Sequence, residues 1–249
     1  MDDRQYSLLE HLKSLRSCII RSLLGLVICF IFAIFFSDEI LSYLRKPMMN
    51  VLGNSAKFVV LVPHEYFFSK IKAAIVAGIF LSSPWIFFQI WLFIAPGLYK
   101  KEKYYSVVFV LAGAFFFIAG AFFSYLIVFP PMFSFFVSTL PSSIEGAYSV
   151  GMLFGFATSM LLAFGLVFET PVFVFMIVLL DIVEISSLIK FRRYVFVLAF
   201  VLGAILTPPD PLTQVFLALP LIILYELGLF FAKIMIFKRK LAVHSKTKL

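Results

Sequence analysis

Apolar residues gather into six long stretches, at 18–36, 73–98, 104–129, 148–180, 194–206 and 212–237, with short polar or proline-bearing segments between them. A hydrocarbon core about 30 Å thick takes ~20 helical residues to cross, and only a helix satisfies its own backbone hydrogen bonds there. The pattern predicts an all-α, polytopic membrane protein with six transmembrane helices in a single membrane domain over residues 1–249. The fourth stretch, with 33 residues, requires tilt, a kink or a part outside the bilayer, whereas the fifth has only 13. That short run reads as a crossing through thinned bilayer or as a re-entrant segment. Lys190, Arg192 and Arg193 before it and Pro208, Pro209 and Asp210 after it look like opposite sides and favour a crossing.

Residues 1–17 form an arm in which Leu8, Leu12 and Leu15, continued by Ile19, make one helical face apolar, with Glu10, Lys13 and Arg21 opposite. Such a segment lies along the headgroup boundary before turning into the first span, either as an anchor that sets topology or as a docking surface. Two loops are long enough to fold on the far side. One, 36–72, begins with an interfacial helix near residues 40–44 that Pro47 ends; the other, 130–147, is broken by Pro130, Pro131 and Pro141. No internal repeat is visible.

Composition agrees with this picture: the 249 residues are 63% hydrophobic and 14% charged, with mean hydropathy +1.07, where soluble domains hold ~25% charged residues. No cleavable address is expected ahead of the first span. Charge adds direction. Sixteen Lys and Arg fall in the arm, the loops after spans two and four, and the tail at 238–249 with its approach, against five in the first loop on the other side. By the positive-inside rule both termini are cytoplasmic, and the net charge of +8 suits anionic headgroups rather than nucleic acid. Cys18 and Cys29 read as packing residues.

Candidate chemistry is sparse. Glu169 stands in FGLVFETP (164–171), deep in span four, where a carboxyl must be protonated, paired or turned toward a polar concavity. Function and a hydrogen bond pinning neighbouring helices are both open readings. Pro171 frees a carbonyl one turn earlier and can kink the helix beside it. Gln89 and Gln214 suit interhelical hydrogen bonds. Glu226 is placed to pair with Lys233 or reach water, and Asp210 to start the sixth span at its N-terminus. Hydrolase and nucleotide-binding motifs are missing, and no cofactor or metal is implied. Those residues leave a proton-coupled secondary transporter built on Glu169 as an alternative.

Six ordered segments resemble the TatC family, the polytopic subunit of the twin-arginine (Sec-independent) protein translocase: EHLKSLR at 10–16, WLFIAPGLYKKE at 91–102, Phe129 with Pro130, FGLVFETP at 164–171, LTPPDPLTQ at 206–214, and LYE at 224–226. The likeness covers residues about 8–237. It implies a concave six-helix bundle with short fifth and sixth spans in the bacterial inner membrane. It also implies a non-enzymatic receptor that binds twin-arginine signal peptides of folded cargo and recruits single-span TatA- and TatB-like partners, driven by the protonmotive force. Assembly of several copies within a translocase complex is also compatible.

By the resemblance Glu102 is the signal-binding glutamate, with Glu10, Ser14, Arg16 and Phe93 near it. In the family a glutamate usually precedes the Leu-Arg pair where this chain has Ser14, and Glu10, one turn earlier, is the acidic residue left to replace it. Glu169, Thr170 and Gln214 would contact a partner helix in the membrane. Pro47 and Pro209 match family positions in the first and last outer loops.

Overall fold

The structure is a computed structural model that describes the backbone of residues 2–52, 57–94, 105–139, 147–207 and 210–246. Side chains are described for 12–51, 58–94, 107–139, 147–207 and 210–237. Its elements are α1 (Asp2–Phe35), α2 (Ser37–Leu52), β1 (Lys57–Val59), α3 (Glu65–Ile94), α4 (Tyr105–Phe123), a π-helical turn (Ser124–Val128), α5 (Phe129–Ser138), β2 (Ala147–Ser149), α6 (Val150–Phe168), α7 (Thr170–Leu179), α8 (Ile185–Leu206) and α9 (Pro211–Lys246).

Among the described residues, five helical segments are long and apolar enough to cross a membrane: Leu12–Phe35, Glu65–Ile94, Val107–Ser138, Val150–Leu179 and Pro211–Phe237. The fifth apolar run of the sequence is the second half of α8. Its 13 residues, 194–206, rise about 20 Å.

Three expectations change. The arm does not turn into the first span; α1 is one helix of 34 residues from Asp2 to Phe35. No proline or glycine interrupts the run from arm to span, so helical hydrogen bonding continues across the junction. Pro47 does not end the interfacial helix but lies inside α2. Nor do Pro130 and Pro131 break the third span, because the π-helical turn Ser124–Val128 absorbs the register change and the helix resumes with both prolines in its first turn. There a missing N–H costs nothing.

The chain divides into two compact units, Met1–Leu162 and Ala163–Leu249, with the boundary inside α6. In the first unit α1 and α3 approach closely because glycines remove side chains at the crossing. A Cβ on Gly78 would stand 3.1 Å from the Phe30 backbone, and one on Gly25 would strike the Trp85 ring. The indole then donates its Nε1–H to the Arg21 carbonyl at 3.0 Å. Four phenylalanines, Phe80, Phe87, Phe109 and Phe117, meet where α3 packs on α4. Phe80 packs on Phe117 with ring centroids 4.7 Å apart and Trp91 on Phe109 at 5.4 Å, while Phe87 fills the space that Gly113 leaves open. Aromatic pairs of this kind add ~0.5–1.5 kcal/mol beyond burial, which matters where lipid removes the hydrophobic drive between helices.

Outside the spans, β1 and β2 pair in parallel, with Lys57, Phe58 and Val59 opposite Ala147, Tyr148 and Ser149. This pairing puts the first and third loops on one face of the unit. In the second unit α9 packs against both α7 and α8. Gly228 lets α9 meet α7, since a Cβ there would be 2.9 Å from Val174 Cβ and 3.0 Å from Pro171 Cα. Gly203 does the same for α8 against the Gln214 backbone.

Candidate functional site

Glu169 occupies the single non-helical position between α6 and α7. Its N–H bonds the Leu166 carbonyl, three residues back, at 3.1 Å, and its own carbonyl accepts from Phe173 N–H at 2.9 Å. The tight turn follows from Pro171, which has no N–H to offer the Val167 carbonyl. Thr170 supplies the replacement, its Oγ1 donating to that carbonyl at 2.6 Å. Glu169 is half-buried and its Oε1 is shielded from solvent. Against the next turn, Pro171 is buried and packed on the α9 backbone at Gly228.

Thr170 thus has a defined local task beside the carboxyl. Gln214 stands half-buried near the start of α9. Fourteen residues of helix, from 214 to 228, separate it from the α9 position that faces Pro171, a rise of about 21 Å. Glu169 and Gln214 therefore sit at different depths.

The same substitution of a hydroxyl for a lost N–H recurs at two other prolines. Ser83 Oγ donates to the Phe80 carbonyl that Pro84 leaves open, at 2.8 Å. Pro47, buried within α2, leaves the Tyr43 carbonyl to the Tyr125 hydroxyl at 2.8 Å, a partner 82 residues away. At Pro171 and Pro84, within crossing segments, the bond satisfies a carbonyl that lipid would leave orphaned. At Pro47 it ties α2 to the π-helical turn.

Asp210 forms the cap of α9. Its Oδ1 accepts the Thr213 N–H at 2.9 Å and its Oδ2 the Thr213 hydroxyl at 2.6 Å, with Pro211 at the first helical position. Thr213 Oγ1 lies 3.1 Å from Thr207 Oγ1, whose hydroxyl donates to the Gly203 carbonyl, so two buried threonines meet at the α8–α9 turn. Pro209 lies outside the described residues.

At the other end of that hairpin, Glu226 does not pair with Lys233. It accepts from Arg192 Nη2 at 2.6 Å across α8 and α9. The two side chains are each a little under half exposed, and the neighbouring Tyr225 hydroxyl donates to the Leu188 carbonyl at 2.7 Å. Packing decided the choice of partner: α8 lies alongside, whereas Lys233 is two turns further down the same helix.

Of the residues expected to read a signal peptide, Ser14 and Arg16 are exposed on α1, and Phe93 is half-buried in the last turn of α3. Glu102 and the side chain of Glu10 lie outside the described residues. Among the described residues no cluster of His, Cys, Asp or Glu has the form of a metal site.

Sequence reasoning passed over Glu65. Its Oε2 accepts Leu61 N–H at 2.6 Å and Val62 N–H at 3.4 Å, while its Oε1 accepts Gly151 N–H at 2.5 Å and the Ser149 hydroxyl. One carboxylate thus caps the turn before α3 and clasps the start of α6, where Gly151 leaves the room it needs. An acidic residue just after Pro63 marks a helix start. The long-range half of the clasp had no local signal. Next to it, Asp38 accepts from Lys70 Nζ at 2.6 Å and from the Tyr66 hydroxyl at 2.8 Å, which binds α2 to α3. Those bonds, Lys70 first, hold the Asp38 carboxyl below its ordinary range.

Known proteins match this arrangement over most of its length. The family model described as Sec-independent protein translocase protein (TatC) matches residues 10–220. A TatC of Magnetococcus marinus is 38% identical over 231 residues, covering 93% of this chain and 85% of that protein. The TatC of Escherichia coli K12 is 32% identical, covering 91% and 88%. Two crystal structures of the twin-arginine translocase receptor TatC superpose with TM-scores of 0.80 and 0.82, at 33% and 32% identity. They cover 90% and 89% of this chain and 98% and 99% of theirs. With its fold, its length and its ordered motifs all shared, the chain belongs to the TatC family of Sec-independent protein translocase subunits.

Proposed function

We propose that this chain is the signal-peptide receptor of a twin-arginine translocase, reading an arginine pair with Glu102 and Glu10 and engaging single-span TatA- and TatB-like helices along the face that carries Glu169. The observation that carries the reading is the WLFIAPGLYKKE segment at 91–102, whose Glu102 resembles the family's signal-binding glutamate, in a chain that shares the family's fold. Guanidinium–carboxylate bonds are bidentate and directional, so two of them orient a peptide as well as hold it. Ser14 stands where the family has a second acid, and Glu10 takes its part.

In this reading the protein crosses a bacterial inner membrane six times, with α8 as the fifth and shortest crossing, and both termini are cytoplasmic. The 16 to 5 division of basic residues supports that topology. So does the β1–β2 pairing, since the first and third loops must emerge on one side. Residues 18–237 make the membrane region between the arm at 1–17 and a basic tail at 238–249.

The test is binding of a twin-arginine peptide and its twin-lysine counterpart to the purified chain. Glu102→Lys should abolish the preference for arginine, Glu10→Ala should weaken it, and Ser14→Glu should tighten it. Glu169→Gln and Glu169→Leu should leave peptide binding intact, with only Leu impairing assembly with the single-span partners. Equal affinity for the two peptides in the unaltered protein would refute the reading.

A further inference from the structure

We infer that the basic end of α8 is a binding site for an anionic phospholipid, with Lys190 and Arg193 holding the headgroup phosphate and the exposed stripe below them receiving the acyl chains. Three cations stand close together here, and the structure sorts them. Arg192 points across to α9 and is neutralised by Glu226 at 2.6 Å. It shares its side of α8 with Val195, Ala199 and Gly203, all buried against α9.

Lys190 and Arg193 project from the opposite side. Both are exposed, and neither has an ion-pair partner among the described residues. Tyr194 extends this cluster: the Arg193 guanidinium lies 4.8 Å from its ring centroid and donates to its hydroxyl at 3.0 Å, and Phe191 packs on the same ring at 5.1 Å. This holds Arg193 at the boundary where aromatic side chains settle between headgroup and hydrocarbon.

Steps of three and four residues then lead down one face from Lys190 and Arg193 through Tyr194, Val197, Val201 and Ile205. The last three are exposed apolar residues, Ile205 at 71%. From Arg193 to Ile205 the helix rises about 18 Å, so the stripe follows the whole of this short crossing and is long enough to take acyl chains that fill a leaflet ~15 Å deep. Cations without an ion-pair partner among the described residues, crowning an exposed apolar stripe of that length, complement a lipid that joins a negative headgroup to acyl chains. The inference concerns this helix alone and does not depend on peptide recognition.

The experiment uses the full chain purified in a neutral detergent, with binding of dioleoylphosphatidylglycerol and dioleoylphosphatidylcholine followed by native mass spectrometry. Phosphatidylglycerol should bind in preference. Lys190→Gln and Arg193→Gln should each weaken it about fivefold, and together about thirtyfold, from the worth of a basic side chain near an anionic headgroup. Phosphatidylcholine binding should not change.

Arg192→Gln removes the same formal charge two residues away and is the internal control; it should leave lipid binding within about twofold while lowering thermal stability. Inorganic phosphate at millimolar concentration should not displace the lipid. The proposal is overturned if the double variant binds phosphatidylglycerol as the unaltered chain does, or if Arg192→Gln loses as much. It is equally overturned if free phosphate or a soluble polyglutamate peptide competes as well as the lipid, which would assign the cations to a free anion or a protein partner. All three positions are exposed, and a retained melting transition in the double variant shows that it folds.

Discussion

Replacing Thr170 by Val removes one hydroxyl at nearly constant volume, and that hydroxyl has one task, donating to the Val167 carbonyl that Pro171 cannot serve. Val167 is 5% exposed, so water does not take over. An orphaned buried acceptor costs about 1–3 kcal/mol in soluble proteins. Side-chain hydrogen bonds in membrane bundles average about 0.6 kcal/mol, reaching about 1.7. The lower scale applies because the unfolded chain in a micelle also finds partners, which sets the expected loss near 1 kcal/mol, or about 2–4 °C in melting temperature for a chain of this size. The informative measurement is a double-mutant cycle. Pro171→Ala restores an N–H able to reach the Val167 carbonyl, so Thr170→Val should cost almost nothing in that background, a coupling of about 1 kcal/mol. Thr170→Ser keeps the donor and should behave as the unaltered chain does. Melting followed by far-ultraviolet circular dichroism in detergent reads all four corners. An equal penalty for Thr170→Val whether Pro171 is kept or replaced by alanine would refute the assignment of the hydroxyl.

Gly228→Ala should destabilise the chain by about 1 kcal/mol even though alanine is the better helix former by about 1 kcal/mol, because the new Cβ meets the Pro171 backbone and overpacking costs roughly 1–3 kcal/mol; a rise in melting temperature would contradict the close approach of α9 to α7. Asp38 supplies a pH test. Its folded-state pKa is lowered from 3.8, chiefly by Lys70, so the stabilisation is complete above about pH 4 and lost as pH falls through the lowered value. The stability difference between the unaltered chain and Asp38→Asn should shrink over that acid range in urea titrations, and a difference constant with pH would exclude the ion pair as its source.

How much of this was legible beforehand depends on the distance over which each feature is decided. The helices and their apolar runs could be read from the chain because a bilayer accepts little else: an apolar stretch of ~20 residues has no other way to satisfy its backbone. The ordered motifs from 10–16 to 224–226 likewise carried the family. Asp210 as a helix start and Pro171 as an interruption beside Glu169 are local, decided within one turn of helix. Tertiary packing alone decided the rest. In a membrane protein, lipid-facing and protein-facing positions are both apolar, so the hydrophobic pattern that pairs elements in soluble folds does not say which helix lies beside which. Hence Glu226 took Arg192 on the neighbouring helix and not Lys233 on its own. Pro47 stayed inside a helix because Tyr125, far away in sequence, serves the carbonyl it exposes. Glu65, unremarkable in the sequence, became the joint between α3 and α6 because two helix starts separated by more than eighty residues meet at its carboxylate.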